Sequence, residues 1–168
     1  MVNKRVEEFH IHYFQVLDEK GNVDKKLMPK LSSKQITDMY YYMKLSRAFD
    51  DKALKLQRQG KIGTFAQIKG QEGIQIGASF AMQKQDWLVP AFREWAAHIV
   101  LGVPMDKILQ GMAGDERGNT FPGKILPMSV PVGTHMLHAA GIGMALNLQK
   151  KKEAIVTYFG DGATSEGD

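Results

Sequence analysis

The apolar run Ala154-Ile155-Val156-Thr157-Tyr158-Phe159 breaks abruptly into Gly160-Asp161-Gly162, and this junction constrains the fold more than any other stretch. Rich in β-branched and aromatic residues, the run has strand length and predicts a strand over 154–159. The glycines mark a strand-to-turn boundary, where backbone N–H groups can approach an anion closely. A helix after the turn would add its N-terminal N–H groups and the positive end of its dipole. Asp161 supplies a carboxylate suited to Mg²⁺, an ion commonly held by one or two carboxylates plus phosphate oxygens. The tip therefore reads as a seat for a metal and a diphosphate. A tight turn in which Asp161 caps the next helix accounts for Gly-Asp-Gly equally well.

The stretches before it alternate between helical and extended patterns. Ser32 and Gln35 have capping-box spacing and predict a helix running to about Gln59, with Gly60 as its stop. Arg47 and Asp50 are placed for an i,i+3 ion pair on that helix. A loop over 63–70 precedes a second helix from about Glu72 to Met82, with Ile74, Gly77, Ala78 and Ala81 on a small packing face. Glu72 suits the dipole at that helix start. Residues 86–90 predict a short strand that Pro90 ends. Arg93 follows, where an α/β fold places ligand contacts; its guanidinium fork suits phosphate oxygens, and an ion pair with Glu94 is the plainer role. Further helices are predicted up to Gly102, from Pro104 to about Met112, and from an N-cap at Thr134 to about Gln149. Between them lie a polar loop over 114–123 and an extended stretch over 127–133. His135 and His138, one turn apart, suit a shared ligand or a capping or interface role. In the N-terminal segment, 9–17 is partly alternating and leads to a turn over 18–22.

Composition excludes several classes. With no Cys there is no disulfide, no thiolate nucleophile and no Cys-based metal site. No run of about 18 apolar residues suggests a membrane span, and the N-terminus is too polar for a signal peptide. A cytoplasmic location is the expectation. The net charge of +4 is concentrated in residues 1–62, which hold 13 Lys and Arg against 8 Asp and Glu. That places the excess away from the strand-end tip and argues against a nucleic-acid surface. A dinucleotide-binding module is disfavoured too, because Gly141-Ile142-Gly143 lies in a helical run rather than after a strand.

Taken in order, Gly70-Gln71-Glu72-Gly73, Phe92-Arg93-Glu94, the stretch Val130-Pro131-Val132-Gly133-Thr134-His135, Ala139-Ala140-Gly141 and residues 158–168 resemble one family. It is that of the alpha subunits of the thiamine diphosphate-dependent 2-oxo acid dehydrogenases, the decarboxylating component of pyruvate and branched-chain complexes. The likeness runs from about Lys30 onward. It implies an α/β fold with a parallel sheet flanked by helices, the front part of a thiamine diphosphate-binding domain over 31–168, preceded by an extension over 1–30.

The resemblance also implies roles. Asp161 is the expected Mg²⁺ ligand. Gly160, Gly162 and Ala163 form the expected diphosphate loop, and Arg93 becomes a diphosphate-binding arginine. Phe92 stands where the family usually has Tyr, so it keeps the ring and loses the hydroxyl. Val130 and Val132 match positions whose backbone meets the aminopyrimidine, and Phe65 and Gln67 fall at the substrate entrance. His135 replaces a more usual Gln. No catalytic residue is expected within this chain, because the family's catalytic His and a second metal ligand, Asn, are expected beyond residue 168. The expected partners are a beta subunit, in a heterotetramer, and a lipoyl-bearing acyltransferase. Pyruvate is the first substrate expectation and a branched-chain 2-oxo acid the second. The competing expectation is an inert remnant or beta-subunit-binding fragment. An open apolar edge on the strand over 154–159 predicts self-association of the isolated chain.

Overall fold

The computed structural model describes residues 4–167. Its helices are α1 (Ser33–Arg58), α2 (Glu72–Ala81), α3 (Trp95–Val100), α4 (Met105–Met112) and α5 (Thr134–Leu148), and its strands are β1 (Trp87–Val89) and β2 (Ile155–Thr157). The two strands pair in parallel, with Leu88 opposite Val156. On its other side β1 meets residues 124–126, through Leu88 N–H to the Lys124 carbonyl and Leu126 N–H to the Leu88 carbonyl. The architecture is α/β, as expected. β2 is shorter than the predicted strand over 154–159. Among the described residues it pairs only with β1.

The capping box forms at the head of α1. The Gln35 amide donates to Ser32 Oγ, and the Ser32 amide donates back to Gln35 Oε1. One face of α1 carries Phe49 and Ala53 into a core shared with Ile62, Phe65, Ile68, Ile76, Trp95, Ile99 and Ile108. Phe49 and Phe65 meet edge to face at 6.1 Å between ring centres. The expected Arg47–Asp50 pair does not form. Arg47 Nε instead reaches Glu72 Oε1 at 2.8 Å, while Asp50, fully buried, accepts the Ile68 amide at 2.6 Å and the Gln67 side-chain amide at 3.0 Å. A buried carboxylate needs several donors, and the loop supplies them better than one neighbour on the same helix does. Ile74, expected on the packing face of α2, is 70% exposed. The buried side of that helix is largely polar instead, with Glu72, Gln75 and Ser79 beside Ile76.

The polar loop over 114–123 contains a 3₁₀ turn, Glu116–Asn119, whose Gly118 lies against α4. A β-carbon on Gly118 would come within 2.0 Å of the Gly111 amide nitrogen, so only glycine permits this approach. α5 begins one residue earlier than the cap expected at Thr134. Gly133 takes the N-cap position with φ +89°, a conformation Thr would adopt only with strain. Gly143 brings α5 close to β2, where a β-carbon would stand only 3.3 Å from Ile155 Cδ1. The rest of α5 is more open, with Leu137, Met144 and Leu148 exposed. The N-terminal turn forms as expected around an isolated Leu17–Val23 bridge, while Phe9, Ile11 and Tyr13 stand almost fully exposed. No described helix is long and apolar enough to cross a membrane.

Candidate functional site

Because β1 and β2 run in parallel, their carboxyl ends open on the same edge of the sheet. β1 leads through Pro90 and Ala91 to Phe92 and Arg93, and β2 leads through Tyr158 and Phe159 to Gly160. Ligands in open α/β folds bind in the crevice beyond such ends. Here that crevice is a cavity of about 540 Å³, bordered by Phe92, Arg93, Val132, Gly160, Gly162 and Ala163 among others. Six of the eight expected cofactor-binding residues therefore converge. Val130 and Asp161 do not border the cavity itself, although Asp161 lies between two residues that do.

Arg93 is held from behind. Its Nη1 donates to the Gln67 carbonyl at 2.8 Å, and its guanidinium carbon sits 5.6 Å from the Phe92 ring centre. The plainer expectation, an ion pair with Glu94, is not what forms. The Glu94 carboxylate accepts the Arg93 backbone amide at 3.1 Å instead. Glu94 is buried, and burial pushes its carboxyl above the ordinary glutamate range against the pull of the Arg93 and Ala91 amides.

The loop after β2 turns tightly. The amides of Ala163, Thr164 and Ser165 donate back to the carbonyls of Gly160, Asp161 and Gly162. A three-residue 3₁₀ turn, Ala163–Ser165, stands where a helix was expected, so those amides point inward. The amides of Gly160, Asp161 and Gly162 have no hydrogen-bond partner among the described residues. A β-carbon on Gly160 or Gly162 would meet open space. The Asp161 side chain is exposed and makes no hydrogen bond or ion pair among the described residues; only its carbonyl is used, by Thr164. Asp161 therefore does not cap the turn with its carboxylate. Among the described residues no cluster of three or more His, Asp or Glu is placed to hold a metal.

Phe65 and Gln67 lie outside the cavity lining. Phe65 is in the core, and Gln67 bridges Asp50 and Arg93. Among the other lining residues, Gln75 and Tyr158 carried no assigned role in the sequence, Glu94 only that of an ion-pair partner, and His135 only a shared-ligand, capping or interface role. Gln75 is buried in α2, where its Nε2 donates to the Arg93 carbonyl at 3.2 Å and its Oε1 accepts the Ala96 amide at 3.1 Å. Tyr158 Oη donates to the Gln75 carbonyl, and burial raises its phenol above the usual range. His135 Nε2 meets the Tyr158 carbonyl at 2.6 Å. These bonds join both strand ends to α2 and α5. The polar residues Glu72, Gln75 and Ser79, spaced three and four apart along α2, were the visible hint of them.

Fold and site define an α/β protein with a cavity at the carboxyl ends of its parallel strands, bordered by an arginine and a glycine-rich loop. The chain belongs to the dehydrogenase E1 component family, which matches residues 40–168. It is 36% identical over 92% of its length to the pyruvate dehydrogenase E1 component subunit alpha of Mycoplasma genitalium, covering 44% of that protein. It is 34% identical over 92% of its length to the subunits of the same name from Staphylococcus aureus (strain Mu50), covering 42%, and Bacillus subtilis (strain 168), covering 43%. The chain thus spans less than half the length of these relatives.

Proposed function

We propose that this chain supplies the diphosphate- and Mg²⁺-binding part of a thiamine diphosphate site in the alpha subunit of a pyruvate dehydrogenase decarboxylating component. The observation that carries this is the convergence of Arg93 with Gly160, Gly162 and Ala163, the loop that carries Asp161, on one cavity at the strand ends. The residues fit the group. The cavity has the size of a small-cofactor pocket. The three amides of Gly160, Asp161 and Gly162 are available to phosphate oxygens, and one free carboxylate suffices for Mg²⁺ when phosphates complete its shell.

Each residue then has a task. Arg93 pairs with the diphosphate, its position fixed by the Gln67 carbonyl. Asp161 holds Mg²⁺, which offsets the diphosphate charge. Phe92 and Val132 wall the organic part, with Val130 at the outer edge of the same extended stretch. When bound, the cofactor supplies a thiazolium that acts as electron sink for loss of CO₂ from a 2-oxo acid. Pyruvate is the proposed substrate because the relatives above carry that name, with a branched-chain 2-oxo acid second. The same reading places a beta subunit in a heterotetramer, a lipoyl-bearing acyltransferase as acyl acceptor, and the protein in the cytoplasm. Phe65 and Gln67 then act on the substrate entrance indirectly, through the loop whose Gln67 carbonyl holds Arg93.

Titration calorimetry in Mg²⁺ with thiamine diphosphate and with thiamine tests the proposal. Binding of the diphosphate but not of thiamine is expected. If neither binds, the reading fails and the inert remnant takes its place.

A further inference from the structure

One residue that borders the cavity, His135, has a buried ring nitrogen with nothing to bond. His135 is 2% exposed, and its Nε2 lies 2.6 Å from the Tyr158 carbonyl. A carbonyl only accepts, so Nε2 carries the proton and Nδ1 of the neutral ring is a bare acceptor. That Nδ1 is buried without a partner. Native structures seldom leave such an atom unsatisfied without a functional reason.

The charge balance of the cavity supplies a reason. Its titratable lining residues are Arg93, Glu94, His135 and Tyr158. Arg93 is the one permanent cation among these, and one edge of its guanidinium is already engaged by the Gln67 carbonyl. Arg93 and the one Mg²⁺ proposed above bring three positive charges, fewer than the negative charges of a diphosphate and the Asp161 and Glu94 carboxylates together. The groups around His135 come from every element near it. Glu94 and Arg93 precede α3, and Tyr158 ends β2. Asp161 lies on the loop after β2, Glu166 packs beside Gly133, and His138 lies one turn along α5. Three of these are acids, which add to the negative charge beside the pocket.

We propose that His135 is a second cationic group of the anion pocket, its Nδ1 taking one proton from solvent as a polyanion enters beside Arg93. The balance is simple: neutral imidazole plus one solvent proton gives imidazolium, with no other bond made or broken. The Nε2 bond to Tyr158 is kept, so the ring stays in place while its charge changes. This inference rests on the proposed binding of a diphosphate at the strand ends.

Calorimetry of the full chain with inorganic pyrophosphate and Mg²⁺, at about pH 8 where an imidazole is neutral, tests it. Two buffers of different ionisation heat give the number of protons taken up on binding. His135→Gln keeps a donor for the Tyr158 carbonyl and cannot take the proton. The wild type is expected to take up roughly half to one proton more than His135→Gln, and to bind about tenfold more tightly. Protons belonging to pyrophosphate itself are common to both and cancel. Glu94→Gln is expected to keep the extra uptake. Equal uptake in wild type and His135→Gln, or its loss in Glu94→Gln alone, overturns the inference while leaving the pocket intact. Absence of binding to the wild type by both pyrophosphate and thiamine diphosphate is a different result, defeating the pocket assignment and the inference together. The wild-type ring reads the same proton without substitution. On saturation the His135 Nδ1 resonance should move from bare nitrogen to N–H, and an unmoved resonance overturns the inference.

Discussion

Asp50 and Arg93 are coupled through a single residue. Asp50 Oδ2 accepts the Gln67 side-chain amide at 3.0 Å, and the Gln67 carbonyl accepts Arg93 Nη1 at 2.8 Å. Asp50 is fully buried on α1, and Arg93 looks into the cavity at the strand ends. The loop between α1 and α2 is thus a strut. α1 fixes the loop, and the loop fixes the guanidinium.

Asp50→Ala should weaken both the fold and the site. It strips the Ile68 amide and the Gln67 side chain of their acceptor, and a buried unsatisfied donor costs about 1–3 kcal/mol. A loss of about 3 kcal/mol in the urea midpoint analysis is expected. Asp50→Asn keeps one acceptor and should lose less. At temperatures where Asp50→Asn remains folded, its pyrophosphate affinity should still fall, because the loop that presents the Gln67 carbonyl to Arg93 is fixed less firmly. Unchanged affinity would show that Arg93 finds its place without the strut.

Glu94 gives a pH-dependent signature of the opposite sense to an ordinary acid. Burial raises its carboxyl in the folded chain, so the folded state binds its proton more tightly than the unfolded state. Its contribution to stability is fully present below the unfolded value of about 4.3 and is lost as pH rises through the raised folded value. At neutral pH the folded chain therefore holds a carboxylate that burial disfavours. Glu94→Gln keeps an acceptor for the Arg93 amide and removes the charge. Thermal melts should show the variant more stable than wild type at neutral pH, with the gap closing as pH falls toward about 4. A constant gap across that range would count against a buried, titrating Glu94.

Local signals in the sequence carried the parts of this fold that neighbours along the chain determine. Ser32 and Gln35 meet within one turn, so the head of α1 was legible. The strand before Gly160 was legible because apolar β-branched residues end there in two glycines. Partner choice across the fold was not. Arg47 and Asp50 are spaced to meet on α1, yet each finds a partner well removed in sequence, Glu72 for one and Gln67 with Ile68 for the other. Spacing states which pairs can meet, and packing decides which do. The same holds at the site. Arg93 was legible from its place after a strand, whereas Gln75, Glu94, Tyr158 and His135 depend on how α2, α3, β2 and α5 close together. The cap of α5 falls on Gly133 rather than Thr134, with a φ of +89° that suits glycine and with no side-chain capping bond.

The end of α5 offers a stabilising change. Lys150 has φ +54°, the only non-glycine residue with positive φ among those described. Its amide donates to the Asn147 carbonyl and the Lys151 amide to the Leu146 carbonyl, the paired bonds of a Schellman ending. Glycine is the usual residue at that left-handed position. Lys150→Gly should raise stability by about 0.5–1 kcal/mol, since the strain relieved outweighs the added freedom of the unfolded chain. Chemical denaturation checks this, and a loss of stability would place the strain elsewhere.

Asp161 separates a metal ligand from a structural turn residue. Its carboxylate is exposed and has no hydrogen-bond or ionic partner among the described residues, and the turn is held by backbone bonds and by Thr164 Oγ1 on the Asp161 carbonyl. Asp161→Ala removes none of these. Its melting temperature without ligand should match wild type to within the effect of about 0.5 kcal/mol that surface substitutions produce. Wild type should bind thiamine diphosphate more tightly as Mg²⁺ is added, whereas Asp161→Ala should show weak binding that Mg²⁺ does not improve. If the melting temperature falls while the Mg²⁺ dependence survives, the carboxylate serves the turn, and the metal lies on other oxygens.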